Sequence, residues 1–273
     1  MKKAKLTLIG AGPGDPELIS IKGAKALADA DVVLYDALTH PDLLKYAPAS
    51  AIKVFVGKRA GECAFTQDEI HDLIVHHAFK HGHVVRLKGG DPFIFGRGHE
   101  ELIHAQTFNI PIEVIPGISS SISVPELQLI PLTRRGVNES FWVITGTTST
   151  GDISDDIALA AKSSATVVIL MGMNNLERIM DLFKAEHKGQ TPVAVIQNGS
   201  LPNEKIGLGT VNSIKNIVEA QNLGSPAIIV VGEVVRLHPD YILEHADEKK
   251  HVSEVPKSKS SVKTFFQKVL GLR

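Results

Sequence analysis

The chain has 273 residues, enough for two ordinary domains or one large one, with 43% of them hydrophobic and 22% charged. That balance belongs to a folded globular protein and excludes a disordered chain. A net charge of −1 removes any global electrostatic case for nucleic acid, so cationic chemistry has to be local.

Residues 6–9 read as a strand that ends in the turn Gly10-Ala11-Gly12-Pro13-Gly14-Asp15-Pro16. Helical spacing follows over 18–30, a second strand over 31–36 and a third over 52–56. Thr66 and Glu69 form a capping box opening a helix with Ile70, Leu73, Ile74 and Ala78 on one face and Gly82 past its end. A strand over 84–87, a helix starting near Gly98 and a short strand over 112–115 complete the first half. Helices alternating with apolar strands predict a parallel sheet covered on both faces. Residues 125–136 are less regular. The pattern then restarts with strands over 141–145, 166–171, 193–197 and 227–231 and a helix over 176–185. The expected layout is an N-terminal α/β domain over 1–120, a C-terminal α/β domain over 121–243 and a polar tail over 244–273. Within the tail, Val262, Phe265, Phe266, Val269 and Leu270 mark a short amphipathic segment, read either as a surface or partner contact or as a frayed end.

One cysteine, Cys63, excludes an internal disulfide, and no apolar run reaches the ~18 residues of a membrane span. A cytoplasmic protein without an integral membrane segment is expected. His71, His76, His77, His81 and His83 suggest a metal cluster, but their spacing brings together only 77 with 81 and, loosely, 76 with 77. No metal is expected.

The most informative stretch is VVRLKGGDPFIFGRGHEE, residues 84–101. A buried strand breaks at Gly89-Gly90, exposes Asp91 before Pro92, and re-enters through Phe93, Ile94 and Phe95 to Gly96 and Gly98 around Arg97. Strand, glycine hinge and helix start in that order build a ligand site at the carboxyl end of an α/β sheet. The first turn invites a dinucleotide reading, but its spacing is G-x-G-x-G, and Asp15 stands where the last glycine of that fingerprint belongs. A carboxylate there repels a pyrophosphate, and Pro13 and Pro16 lack the N–H groups that phosphate binding uses. A ligand without phosphate suits this turn better.

The segments GAGPGDPEL, VLYDAL, VGKRAG, VVRLKGGDPFIFGRGHEE, IPGISS, PLTRR and LMGM occur in the order expected of one family. Over residues 5 to about 238 the chain resembles the uroporphyrinogen-III C-methyltransferases, a group within the S-adenosylmethionine-dependent tetrapyrrole methylases. The resemblance implies two α/β/α domains with mostly parallel sheets, an active-site trough between them, and a homodimer. It implies methylation of uroporphyrinogen III at C2 and C7 to precorrin-2, for sirohaem or cobalamin synthesis, leaving S-adenosylhomocysteine. It also implicates Pro13, Gly89, Gly90, Asp91, Ile94, Ser119, Ser120, Met171, Gly199 and Ser200 in holding the donor. By their residue types alone, Asp91 reads as a turn aspartate before Pro92 and Met171 as a core methionine ending a strand.

A macrocycle with eight carboxylates needs several cations. Lys58, Arg59, Arg97, Arg134 and Arg135 all fall at loop positions after strands, with Arg59 the weakest of the five. Methylating a pyrrole carbon creates a cation that must lose a proton, so a base is required. The resemblance nominates Asp36 as acceptor and Lys58 as its proton-donating partner. Arg97 and Glu100, three apart on one helix face, are rival catalytic candidates, and Glu100 reads otherwise as a first-turn helix charge. The sequence departs from the family pattern at His99, at Arg134 and over 121–130, where Pro125 is expected to interrupt a helix. Alternative readings are a methylase of a later corrin precursor, an RNA or protein methylase, and a donor-binding regulator. The lack of a basic stripe counts against RNA, and the arginines count against a regulator.

Overall fold

The computed structural model describes residues 2–57 and 65–244. Lys58, Arg59, Cys63 and the amphipathic segment 262–273 lie outside the described residues.

The first sheet contains β1 (Lys5–Gly10), β2 (Val32–Tyr35), β3 (Ile52–Phe55), β4 (His83–Lys88) and β5 (Ile112–Ile115), ordered β3-β2-β4-β1-β5. All four pairings are parallel. Successive strand residues point to opposite faces, and both faces are covered. Leu6, Leu8, Val32, Leu34 and Val84 pack with Ile70 and Ile74 of α2 (Gln67–His81) and Ala105 of α3 (Gly98–Thr107). On the other face Ile9, Val33, Val85 and Leu87 pack with Leu27 of α1 (Ile21–Ala28). The capping box of α2 forms: Thr66 Oγ1 accepts from Glu69 N, and the Glu69 carboxylate accepts from Thr66 N at 2.7 Å. The helical spacing seen from residue 18 resolves into a short 3-10 turn, Pro16–Leu18, followed by α1.

The helix α4 (Ser120–Leu127) leads into a second sheet and packs on its strands β7 (Thr166–Leu170) and β10 (Ala227–Val231). With them lie β6 (Phe141–Thr145), β8 (Pro192–Gln197) and β9 (Lys205–Thr210), in the order β6-β7-β10-β8-β9. Here β6 and β7 run parallel and the other three pairings are antiparallel. Across both sheets the parallel pairings predominate, and the architecture is α/β. The second sheet has a core of its own, in which Ile144, Val167, Ile169, Val195 and Ile229 meet α5 (Asp156–Lys162), α6 (Leu176–Ala185) and α7 (Ile214–Ala220).

The interruption expected at Pro125 does not occur. Proline occupies the sixth of eight positions in α4, so its missing N–H removes one ladder bond just before the helix ends at Leu127. Residues Met1–His238 form one compact unit that holds both sheets, and α8 (Pro239–Glu244) belongs to a second.

Candidate functional site

The carboxyl ends of β1, β4 and β5 converge on three glycines. Gly12 and Gly90 pair as an isolated bridge, with Gly90 N donating to Gly12 O at 2.7 Å. A Cβ on Gly117 would stand 2.3 Å from Gly90 O and 2.6 Å from the backbone of Gly10, so only glycine permits this approach. Gly90 itself is different. It sits at φ +66°, and the nearest atom to a Cβ there is Ser120 N, at 3.8 Å. A methyl group therefore fits beside Gly90 with only ordinary contacts to Ser119 and Ser120.

Asp91 ties this junction together. Its Oδ1 accepts from Phe93 N at 2.8 Å, making the turn that residue type suggested, while Oδ2 accepts from Gly117 N at 3.1 Å. Ser119 caps α4, its hydroxyl accepting from Ser121 N. The loop after β8 closes from the second sheet: Asp15 N donates to Ser200 Oγ at 3.0 Å, and Gly199 abuts Val124 of α4. Glu204 steadies that loop by accepting from Ser200 N at 2.8 Å and from the Gln128 side chain. Pro13, Gly90, Asp91, Ser119, Ser120, Gly199 and Ser200 thus belong to one contiguous arrangement, and Gly89 enters it packed against Leu38. Ile94 and Met171 are about half exposed, at 44% and 52%. Met171 is no core residue. It follows β7 at φ +56° and is held by Thr147 Oγ1 donating to its carbonyl at 2.8 Å.

The charged candidates separate into three groups. Asp36, just past β2, orients Oδ1 toward Leu38 N (3.1 Å) and Thr39 Oγ1 (3.3 Å) and turns Oδ2 toward Arg86 Nη1 at 3.6 Å. Arg97 caps α3 in the left-handed region, φ +59°, and forks onto Glu100 through Nε at 3.0 Å and Nη2 at 2.6 Å. That hydrogen-bonded pair raises the arginine pKa and lowers that of Glu100. Arg134 and Arg135 stand exposed on the loop before β6 and meet no carboxylate among the described residues.

Beneath Asp36 lies a cluster that the site residues drawn from the sequence omit. Glu101 is fully buried, and its Oε1 accepts from Lys88 Nζ at 2.8 Å, Arg86 Nε at 3.2 Å and Gln67 Nε2 at 3.3 Å. Burial pushes the Lys88 pKa down, the neighbouring Arg86 adding to that, with Glu101 opposing both. The signal was present: two cations at alternate positions of the strand VVRLK are foreign to a strand covered on both faces. His71, buried beside this cluster, stacks on His104 at 4.8 Å between ring centroids, and burial lowers its pKa. His77 meets His81 and His76, but among the described residues no three His, Cys, Asp or Glu gather to hold a metal. No helix of the described residues is long and apolar enough to cross a membrane.

The residues at the junction fit a nucleoside donor without phosphate. A methyl group on Gly90 would fill the space they leave open, and the Asp15 carboxylate is already engaged with Glu17 N at 2.8 Å.

A family model described as Tetrapyrrole (Corrin/Porphyrin) Methylases matches residues 5–215. A protein of Methanocaldococcus jannaschii named uroporphyrinogen-III C-methyltransferase is 47% identical over 235 residues, 85% of this chain and 97% of that one. The crystal structure of uroporphyrin-III C-methyl transferase from Thermus thermophilus complexed with S-adenyl homocysteine is 36% identical. It superposes with a TM-score of 0.74 over 85% of this chain and 99% of the other. A cobalt precorrin-4 methyltransferase, 27% identical, superposes with a TM-score of 0.76 over 85% and 95%. The glycine junction, the sheet order and these matches lead to one assignment: the chain belongs to the tetrapyrrole (corrin/porphyrin) methylases.

Proposed function

We propose that this chain is an S-adenosylmethionine-dependent C-methyltransferase that converts uroporphyrinogen III to precorrin-2 by methylation at C2 and C7. The observation that carries the reading is the 47% identity over nearly the full length of a relative bearing that activity in its name. Bound S-adenosylmethionine supplies a methyl group on a sulfonium and departs as S-adenosylhomocysteine.

The protein's part is binding, orientation and proton removal. Backbone around Gly89, Gly90 and Asp91, with Pro13, Ser119, Ser120, Gly199 and Ser200, cradles the donor, and Ile94 and Met171 present apolar surface to it. A carboxylate facing the sulfonium would stabilise the reactant more than the charge-dispersed transition state. Both Asp91 oxygens are occupied by backbone N–H groups, which restrains that carboxylate. Positioning therefore carries most of the rate. Arg97, Arg134 and Arg135, with Lys58 after β3, bind the carboxylates of the macrocycle. Asp36 takes the meso-bridge proton that the cationic methylated intermediate must lose, with Lys58 as its proton-donating partner, and the Arg97–Glu100 pair secures the acceptor.

The N-terminal domain is assigned to 1–120 and the C-terminal domain to 121–243, with the trough between the sheets. The exposed apolar row Ile118, Ile122, Leu127 and Leu129 supports a homodimer, which light scattering with Ile122→Glu tests. We assign the enzyme to the cytoplasm and to sirohaem or cobalamin synthesis. Incubation with uroporphyrinogen III and methyl-labelled donor, read by mass, should give mono- and dimethylated products; no incorporation sinks the substrate assignment. A second reading, a methylase of a later corrin precursor, rests on the shared fold with the cobalt precorrin-4 methyltransferase, 27% identical, and the same assay with that precursor class separates the two.

A further inference from the structure

Three charged side chains lie under the carboxyl ends of β2 and β4 where apolar ones would pack at least as well. Arg86, Lys88 and Glu101 expose 4%, 6% and 0% of their side chains. A buried ion pair gives little net stability over well-packed apolar residues, because desolvation offsets the attraction. Arg86 and Lys88 occupy alternate positions of β4 on the face of Val84, which packs against α2 and α3. Only one Glu101 oxygen is used, accepting from both cations, while Oε2 has no partner. Two cations and one carboxylate leave one positive charge over, and Asp36 Oδ2, 3.6 Å from Arg86 Nη1, answers it. Asp36 Oδ1 is fixed separately by Leu38 N and Thr39 Oγ1, so the carboxylate has little rotational freedom.

We infer that Glu101, acting through Arg86, is a positioning residue for Asp36: it anchors the guanidinium that aims and neutralises that carboxylate. The inference rests on the reading of Asp36 as the proton acceptor. Arg86 Nε is held by Glu101 and Nη1 by Leu87 O, so the nitrogen facing Asp36 is preset by two bonds to rigid elements. The charged groups facing Asp36 among the described residues are Arg86 and, behind it, Lys88 of β4 and Glu101 of α3; its own loop adds only the Thr39 hydroxyl.

Glu101→Gln keeps the shape and the Oε1 acceptor but weakens the anchor of the guanidinium, and Arg86→Gln removes the nitrogen that faces Asp36. Both variants should lose tenfold or more in kcat while KM for the acceptor and binding of S-adenosylhomocysteine stay as in the wild type. An unchanged kcat, or a loss shared by KM and donor binding, overturns the proposal. In melts at neutral pH, Asp36→Asn should lower the melting temperature of the wild type and lower that of Glu101→Gln by less, because the contact it removes is already slack there; equal drops overturn the proposal. Should Glu101→Gln fail to fold, Arg86→Lys, which keeps the charge but loses the fork, takes its place in the same comparison. The melting experiment needs no acceptor. A wild type that transfers no methyl to uroporphyrinogen III therefore defeats the functional reading alone.

Discussion

Gly90→Ala separates the cost of a backbone conformation from the cost of filling a ligand cradle. At φ +66° an L-residue pays roughly 1–2 kcal/mol relative to glycine. The added methyl meets the protein at no less than ordinary contact distance, its nearest atom being Ser120 N at 3.8 Å. At about 2–4 °C per kcal/mol for a unit of this size, the melting temperature should fall by roughly 2–8 °C. That methyl occupies the space in which the donor is placed, against backbone that cannot retreat, so donor affinity should drop at least about tenfold, or ~1.4 kcal/mol. Gly117→Ala reverses the balance. Its Cβ would lie 2.3 Å from Gly90 O, and relief to the 3.4 Å of ordinary contact means moving backbone of three elements by about 1 Å. Its thermal loss should exceed that of Gly90→Ala. Titration calorimetry with S-adenosylhomocysteine, run beside thermal melts, reads both effects. A Gly90→Ala protein that binds the ligand as tightly as the wild type would refute the placement of the donor.

The remaining predictions concern single side chains. Arg97→Lys loses the planar fork, so KM for the acceptor should rise about tenfold or more with donor affinity unchanged; equal losses in both contradict an acceptor role. Thr66→Ala opens the capping box of α2 and should cost about 1 kcal/mol in denaturant unfolding; no change in midpoint would mean the cap carries nothing. Glu113, hydrogen-bonded by Lys22 and then Lys5, has its pKa lowered from 4.5 to about 2. A depressed folded-state pKa stabilises above the unfolded value and is lost as pH falls through the folded one. The melting-temperature gap between wild type and Glu113→Gln should thus be present above pH 4.5 and vanish toward pH 2; a gap independent of pH contradicts the pairing.

Wherever one physical signal dominated, the elements were legible. The capping box placed the start of α2, and Gly82 its end, because both act through local hydrogen bonds. β9 went unread for the opposite reason: KIGLGT alternates glycine with apolar residues and has no strand composition. Gly207 and Gly209 are small because α7 and the turn after it lie on them, where a Cβ would meet Leu223 or Ile217 at 2.8 and 2.6 Å. Such tertiary packing leaves no local trace. The antiparallel pairings of β10 were hidden likewise, since a fully buried strand reads the same in either direction.

The candidate site shows the same division between local and long-range causes. Its backbone half was legible because glycines at 10, 12, 90 and 117 and a carboxylate before Pro92 are demanded by turns that neighbouring residues announce. Its electrostatic half was legible only in part. Arg97 and Glu100 pair along one helix, so their spacing gives them away. Arg86, Lys88 and Glu101 come together only when β4 and α3 pack, and nothing local sets Glu101 apart from its neighbour Glu100. What distinguishes them is burial, which turns three ordinary surface residue types into a fixed electrostatic support. A cation in a strand covered on both faces must have a buried counter-charge, and an acid on the inward face of a covering helix, here the face of Gly98 and Ala105, is where to look for it. In this chain that reasoning leads from Arg86 to Glu101, and from the charge left over to Asp36.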